Sequence, residues 1–530
     1  MDKRIVILLC LAAFCMNAAA QDGLVTDFTT EEAPQLITRG DYVLRGTILV
    51  QYRGKAEELR IPADLGITEI GEGAFGSAGI RTVLIPEGVT KLGSRVFVDC
   101  YNLESVMLPA GLTSIGDYAF SECENLTAIN LPAGLTSIGD YAFSGCEHLG
   151  RISLPASLTS IGDYAFQRCL NLGPIQVDRA NRVYTDRDGV LFNRDFTELI
   201  LYPARKAGSS YTVPEGVITI GEAAFLRCFR LTTISLPASL TSIGDSAFYG
   251  CNSLTAINLP AGLTSIGDRA FSYCSNLTTI SLSAGLTGIG DFPGRSSLAT
   301  INVPAGLTGI GIYAFYGCSS LAAVSLPAGL TVIGNNAFSG CRSLTAIYLP
   351  ASLTSIGDRA FYRCLNLGAI QVDRANRVYT DWDGVLFNRA FTELIVYPAQ
   401  KAGSSYTLAE GIIAIRAGAF SGCRSLTAIY LPASLTSIGG NAFSECENLT
   451  AINLPAGLTS IGDYAFSGCE NLSSITVLSL EPPLLDGKLW ISWPDELPTT
   501  IYVPSAALYV YRNAQGWKNH SDRIRRAAGN

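Results

Sequence analysis

Thirteen of the fifteen cysteines fall on a fixed 23-residue step: Cys100, Cys123, Cys146 and Cys169, then Cys228, Cys251 and Cys274, then Cys318, Cys341 and Cys364, then Cys423, Cys446 and Cys469. A constant period of this length, held over hundreds of residues, is the mark of a solenoid, in which each unit is too small to bury its apolar face alone and does so by stacking on its neighbours. The rest of the chain agrees. Residues Leu126 to Cys146 read LTAINLPAGLTSIGDYAFSGC, near copies fill most of the sequence, and the Ile-Gly step or its equivalent marks at least fifteen turns between Gly71 and Gly462. A chain of 530 residues with 53 Gly, 23 Pro and 15% charged residues does not fit a set of ordinary globular modules.

Within one unit, Leu126, Ile129 and Leu131 have the spacing of a short strand with one face buried, and Pro132 ends it. Leu135 and Ile138 form a second inward edge, and Asp140 is placed to cap a tight helical turn through Ala142 and Phe143.

The regularity breaks in three places. The segments Ile175–Asn193 and Ile370–Asn388 are near-identical copies 195 residues apart, inside cysteine steps of 59. Their Asp188-Gly189 and Asp383-Gly384 pairs sit between β-prone runs and predict hairpins, hence β-rich inserts projecting from the coil at about 174–212 and 369–407. From Phe292 to Ser297 the Ala-Phe-x-x-Cys piece is lost and the Gly290 to Gly311 step shrinks to 21, which predicts a local kink. The two ends also depart from the pattern, as solenoid ends must if they are to be covered: an N-terminal cap over 21–60 and a C-terminal cap over 481–530 bracket a solenoid over 61–480.

The unit L-x-x-I-x-L-P-x-x-L-x-x-I-G-x-x-A-F-x-x-C resembles the BspA-like leucine-rich repeats of bacterial surface proteins over roughly residues 45 to 525. The resemblance implies a leucine-rich-repeat right-handed superhelix with parallel β-strands on the concave face, short 3-10 or irregular turns on the convex face and little α-helix. It further implies an exported, surface-associated protein, some relatives of which act as adhesins toward host matrix proteins or other bacteria. The N-terminus fits export: Lys3 and Arg4 precede an apolar run from Ile5 to Met16, too short to span a bilayer, and Ala18-Ala19-Ala20 follows, so residues 1–20 read as a signal peptide cleaved before Gln21. Cys10 and Cys15 lack the context of a lipid-modification signal, so no membrane insertion is expected after cleavage.

A formal net charge of −8 argues against nucleic acid and anionic membrane as partners. The cysteine column reads as buried thiols, because in-register parallel neighbours point side by side, and because Ala78 takes the same place in an early turn, which a metal site would not tolerate. The Asp column, Asp117, Asp140, Asp163, Asp245, Asp268, Asp358 and Asp463, invites calcium, but Asn335, Gly440 and Ile312 interrupt it and capping accounts for it better. Of the two histidines, His148 occupies the slot of Asn125 and Asn471, and His520 lies in the tail; no hydrolase, zinc-protease, Walker or dinucleotide fingerprint occurs. Neither an enzyme nor a cofactor is expected.

What remains is the surface. The residue between the inward Ile and Leu points outward on the concave sheet, giving the candidate ligand-binding row Asn130, Ser153, Ser235, Asn258, Ser281, Asn302, Ser325, Tyr348, Tyr430 and Asn453. It is neutral and rich in hydrogen-bonding groups, with two aromatic anchors, and exposed Tyr is typical of binding hot spots. The row itself suits a broad protein or glycan partner, and the resemblance implies that the protein partners are host extracellular-matrix or other cell-surface proteins. The alternatives are a structural surface coat without a dedicated ligand and a carbohydrate-binding protein.

Overall fold

Each turn of the coil contributes two short parallel strands, and these stack into two ladders. The computed structural model describes residues 35–282, 285, 286, 288, 289, 297–487 and 499–527. The signal-peptide reading and residues 21–34 of the N-terminal cap therefore lie outside the described residues.

The first ladder is built from the L-x-x-I-x-L segments, such as Ala256–Asn258, and pairs Ala256 with Thr279, Ile257 with Ile280 and Asn258 with Ser281. The second is built from the pair before each glycine, such as Ser265–Ile266, which pairs with Ser242–Ile243. Partners stand 23 residues apart, so the sequence period is the strand register. About 20 turns result. Among the described residues the α-helix is confined to Leu508–Asn513. Strands stay short because a proline closes the first and the second runs into a glycine that could not carry a side chain. A Cβ on Gly139 would lie 2.6 Å from the Asp117 nitrogen and 2.7 Å from the Gly116 carbonyl carbon, so close stacking of backbones, not an unusual φ, dictates glycine there.

Between the ladders runs an apolar core of Leu, Ile, Phe and Cys, in three successive clusters that meet at the two hairpins. Phe97, Phe120, Phe143 and Phe166 stack ring on ring at 5.3, 5.3 and 5.5 Å, and similar columns run through the later turns. The thirteen repeat cysteines are buried free thiols beside these rings, and their sulfurs point at backbone carbonyls of earlier turns, as Cys123 Sγ does toward Phe97 O at 3.1 Å and Cys446 Sγ toward Phe420 O at 3.2 Å.

The turn after each glycine differs from expectation. No helix forms through Ala142 and Phe143, because Tyr118, Tyr141 and Tyr164, which follow the aspartates, take φ of 56°, 54° and 55°. The carboxylates of Asp117, Asp140 and Asp245 bond to the following turn and not to their own. Asp117 Oδ1 accepts the Asp140 N–H at 2.9 Å and Asp140 Oδ1 accepts the Asp163 N–H at 2.9 Å, while Asn335 does the same for Asp358. The column is a ladder between turns, which a carboxylate and an amide oxygen serve equally.

The inserts are part of the coil and do not project from it. Gln176–Val177 continues the first ladder; Tyr184–Arg187 and Val190–Asn193 form an antiparallel hairpin across Asp188 and Gly189, at φ 53° and 75°; and Glu198–Leu201 passes the second ladder on to Thr219–Ile220. Val190, Leu191 and Phe192 are fully buried: Leu191 joins the core of the preceding turns, and Val190 and Phe192 that of the following ones, so the strand is covered on both faces. Buried Asn181 locks the splice: its amide donates to Pro155 O and Leu158 O, and its Oδ1 accepts the Val183 and Tyr184 N–H groups. Asn376 repeats every one of these bonds in the second copy.

Each insert adds strands to the second ladder but lacks the Ala-Phe-x-x-Cys turn, so the turn edges on either side close toward each other. At the second insert Tyr362 Oη lies 3.2 Å from Ser444 Oγ, and Arg363 pairs with Glu445. At the shortened step both ladders keep register, with Ile280 opposite Ile301 and Ile289 opposite Ile310; the kink expected at Phe292 to Ser297 falls, except for Ser297, outside the described residues.

At the N-terminal end, Leu36–Arg39 and Tyr42–Arg45 fold antiparallel onto Ile48–Tyr52, which starts the second ladder. At the other end Thr500–Val503 and Ile524–Arg526 extend the first ladder, and Trp517 seals the core, its Nε1 donating to Pro483 O at 2.7 Å and its ring meeting Tyr511 edge-on.

Candidate functional site

The outward row of the first ladder is positioned by strand alternation alone. With Ile129, Ile152, Ile234, Ile257 and their equivalents turned into the core, the following residue must face solvent. All ten residues proposed from sequence, Asn130, Ser153, Ser235, Asn258, Ser281, Asn302, Ser325, Tyr348, Tyr430 and Asn453, are exposed. Register brings several directly side by side: Asn258 pairs with Ser281, and Ser281 with Asn302. The ladder does not unite all ten into one sheet. The strands bearing Asn130, Ser153, Tyr348 and Tyr430 belong to separate sheets, divided near the two inserts.

The two tyrosines of the row differ in their surroundings. Tyr348 Oη donates to Asp373 Oδ2 at 2.7 Å, which holds the Asp373 carboxyl below its usual range and raises the tyrosine's own pKa. Tyr430 is 58% exposed, and its hydroxyl has no hydrogen-bond partner among the described residues.

The same geometry adds residues that the regular repeats did not display. Met107, 62% exposed, continues the row next to Leu84, while Gln176 stands opposite Ser153, Gln371 opposite Tyr348 and Thr407 opposite Tyr430. These lie in the first turns and in the inserts, where the repeat pattern is degenerate; counting strand alternation inward from the intact repeats would have found them.

The opposite edge carries a second feature that sequence reading passed over. Residues flanking the cysteines of the turns between Arg227 and Arg363 line a cleft of about 1120 Å³ that includes Phe229, Tyr249, Tyr273, Tyr316, Arg227 and Arg342. Tyr273 and Tyr316 are exposed. A third hollow, of about 480 Å³, opens at the first insert among Asp163, Tyr164, Glu198 and Glu222.

The buried thiols are poor nucleophiles. Burial pushes the Cys100 thiol up to about 11 and Cys364 up to about 12, and raises Cys146 well above its ordinary value. No group of three or more His, Cys, Asp or Glu side chains is arranged to hold a metal among the described residues, and no helix there is long and apolar enough to cross a membrane. His148 puts its Nδ1 2.9 Å from Glu124 O, the bond type that Asn125 and Asn471 make to the carbonyl 24 residues back, so it fills a repeat position.

The chain matches the model of the BspA type leucine rich repeat region over residues 51–181, 205–293, 291–382 and 399–481. Among solved structures it resembles a leucine-rich repeat protein from Eubacterium ventriosum, at 29% identity and a TM-score of 0.56 over 61% of this chain and 89% of that one. It also resembles a leucine-rich repeat protein from Bacteroides ovatus, at 22% identity and a TM-score of 0.36 over 89% of this chain and all of the other. A leucine rich cell surface protein from Faecalibacterium prausnitzii matches at 24% identity and a TM-score of 0.34, over 84% and 95% of the two chains. No curated protein matches. With well over half its length matched, the chain belongs to the BspA-type leucine-rich-repeat family.

Proposed function

We propose that this is a secreted or cell-surface, non-enzymatic protein that mediates adhesion or protein–protein interaction through the outward row of its first ladder. The observation that carries the reading is the row itself: ten exposed side chains, eight of them Ser or Asn and two Tyr, set on backbone that the core holds rigid. A partner meeting this face gains hydrogen bonds without ordering a loop, so little conformational entropy opposes docking. Tyr430, open and unbonded, is the strongest anchor on it.

The test is a binding screen of the mature chain against immobilised extracellular-matrix proteins, other bacterial surface proteins and glycans. For whichever ligand is captured, Tyr430→Ala should weaken attachment by about 1–2 kcal/mol. Binding that survives the double replacement of Tyr348 and Tyr430 by Ala, with the fold intact by circular dichroism, would refute the row as the site.

A second reading, carbohydrate binding, is favoured by the turn-edge cleft, whose exposed Tyr273 and Tyr316 offer flat faces of the kind sugar rings pack on, beside the donors of Arg227 and Arg342. Retention of a glycan that is lost in Tyr316→Ala and kept in Tyr430→Ala would select it.

A further inference from the structure

The two inserts are copies of one device, and they differ where they meet the next turn. In the second copy Arg416 stands at the position of the Ile-Gly glycine. Its Nη1 donates to Ile356 O at 3.1 Å and its Nη2 to Asp358 Oδ1 at 2.7 Å, which fills the junction and leaves a space of only about 10 Å³. The Asp358 carboxylate is the last rung of the side-chain ladder that Asn335 feeds, and the guanidinium caps it.

The first copy presents the same acceptors with nothing in their grip. Ile161 and Asp163 correspond to Ile356 and Asp358, but Gly221 takes the place of Arg416, and the junction opens to a cleft of about 480 Å³. Asp140 hands its ladder bond to Asp163, and the Asp163 carboxylate has no hydrogen-bond or ion-pair partner among the described residues. Neighbouring substitutions run in one direction: Tyr164 replaces Arg359 and Glu222 replaces Ala417. Two cations are lost and one anion is gained around an unchanged pair of acceptors. The Tyr164 hydroxyl faces the Glu222 carboxylate, and the half-buried Glu198 carboxylate lies 3.4 Å from where a Cβ of residue 221 would sit.

We infer that the cleft at the first insert binds the guanidinium of an arginine side chain from a partner polypeptide, in the manner in which the second insert binds its own Arg416. The chemistry is that of a planar cation with parallel N–H donors facing a carboxylate and a carbonyl, which suits arginine and suits the point charge of lysine less well. An acidic cluster alone would not identify a ligand. Here the duplicate junction holds the ligand's chemical group in place, and the vacant one is large enough to admit it on a side chain.

The probe is the capped tripeptide N-acetyl-Gly-Arg-Gly-amide, titrated by calorimetry into the mature chain at low salt, with its lysine and citrulline counterparts. We expect one equivalent of the arginine peptide to bind, about tenfold more weakly for lysine, with no detectable binding of the neutral citrulline peptide, and weakening as salt rises. Gly221→Arg should supply the cation in cis and abolish binding. A Cβ on residue 221 would make a tight contact with Leu199 O at 3.2 Å, which a shift of a few tenths of an ångström relieves, and the second copy carries Arg416 at the same position. Asp163→Asn, which keeps shape and removes charge, should weaken binding about tenfold and guards against misfolding of the arginine variant. Absence of binding to the wild-type chain, equal binding of the citrulline peptide, or unchanged affinity in both variants would overturn the assignment.

Discussion

A single oxygen on each turn shows how finely the stacking is set. Asp140 accepts the Asp163 N–H, and Asn335 makes the same bond to Asp358, so Asp140→Asn should be close to neutral while Asp140→Ala should cost about 1 kcal/mol in urea unfolding. The sequence showed the column and its substitution by Asn335 but not the direction of the bond, since a capping aspartate and a laddering one look alike until the positive φ of the next residue is known. The thiols lend themselves to a pH experiment. Burial raises the pKa of thiols such as Cys146 and Cys469 well above the ordinary value of 9.0, so above that value the unfolded chain loses protons that the folded chain keeps. Stability should be insensitive to these groups below about pH 8 and fall as pH climbs past 9, with native cysteines resisting alkylation and reacting once denatured. Rapid native labelling at neutral pH would contradict the burial of the column.

At the scale of the element, the phenylalanine columns and the hairpin splices carry the coil. Phe338 is fully buried between Phe315 and Phe361, so Phe338→Ala should open a cavity and cost about 3–5 kcal/mol. Because a regular turn packs mainly on its neighbours, amide exchange should quicken mainly in the adjoining turns and leave the turns before the first insert protected. Asn181→Ala should also be costly, roughly 2–4 kcal/mol, since it strips partners from buried carbonyls and N–H groups at once; a change below 1 kcal/mol by chemical denaturation would contradict its locking role. The hairpin turns were legible from Asp-Gly between β-prone runs. That the hairpin enters the core was not, because its apolar residues could equally have formed a small separate cluster, and only the neighbouring turns settle what Phe192 packs against.

At the scale of the molecule, about 20 turns stacked at ~4.8 Å make an elongated particle, with a longest dimension on the order of 100 Å in small-angle scattering. A compact sphere would be incompatible with the two ladders. The contacts of Arg363 with Glu445 and of Tyr362 with Ser444 tie together turns 82 residues apart, so the second insert holds a bend that Glu445→Ala should loosen. The measurable sign is a shift in the scattering profile without loss of circular dichroism.

The sequence by itself determined the period, the register and the residues that face in or out, because in a solenoid every contact of the regular turn is local in the repeat and the same rule applies from Cys100 to Cys469. The outward row from Asn130 to Asn453 followed from strand alternation for the same reason. Tertiary structure decided what lies where periodicity fails. It alone placed Asp373 under the hydroxyl of Tyr348, brought Arg416 back onto Asp358 and left Asp163 open beside Gly221. Those contacts join residues 25 to 58 positions apart across a changed geometry, and no repeat-to-repeat rule encodes such distances.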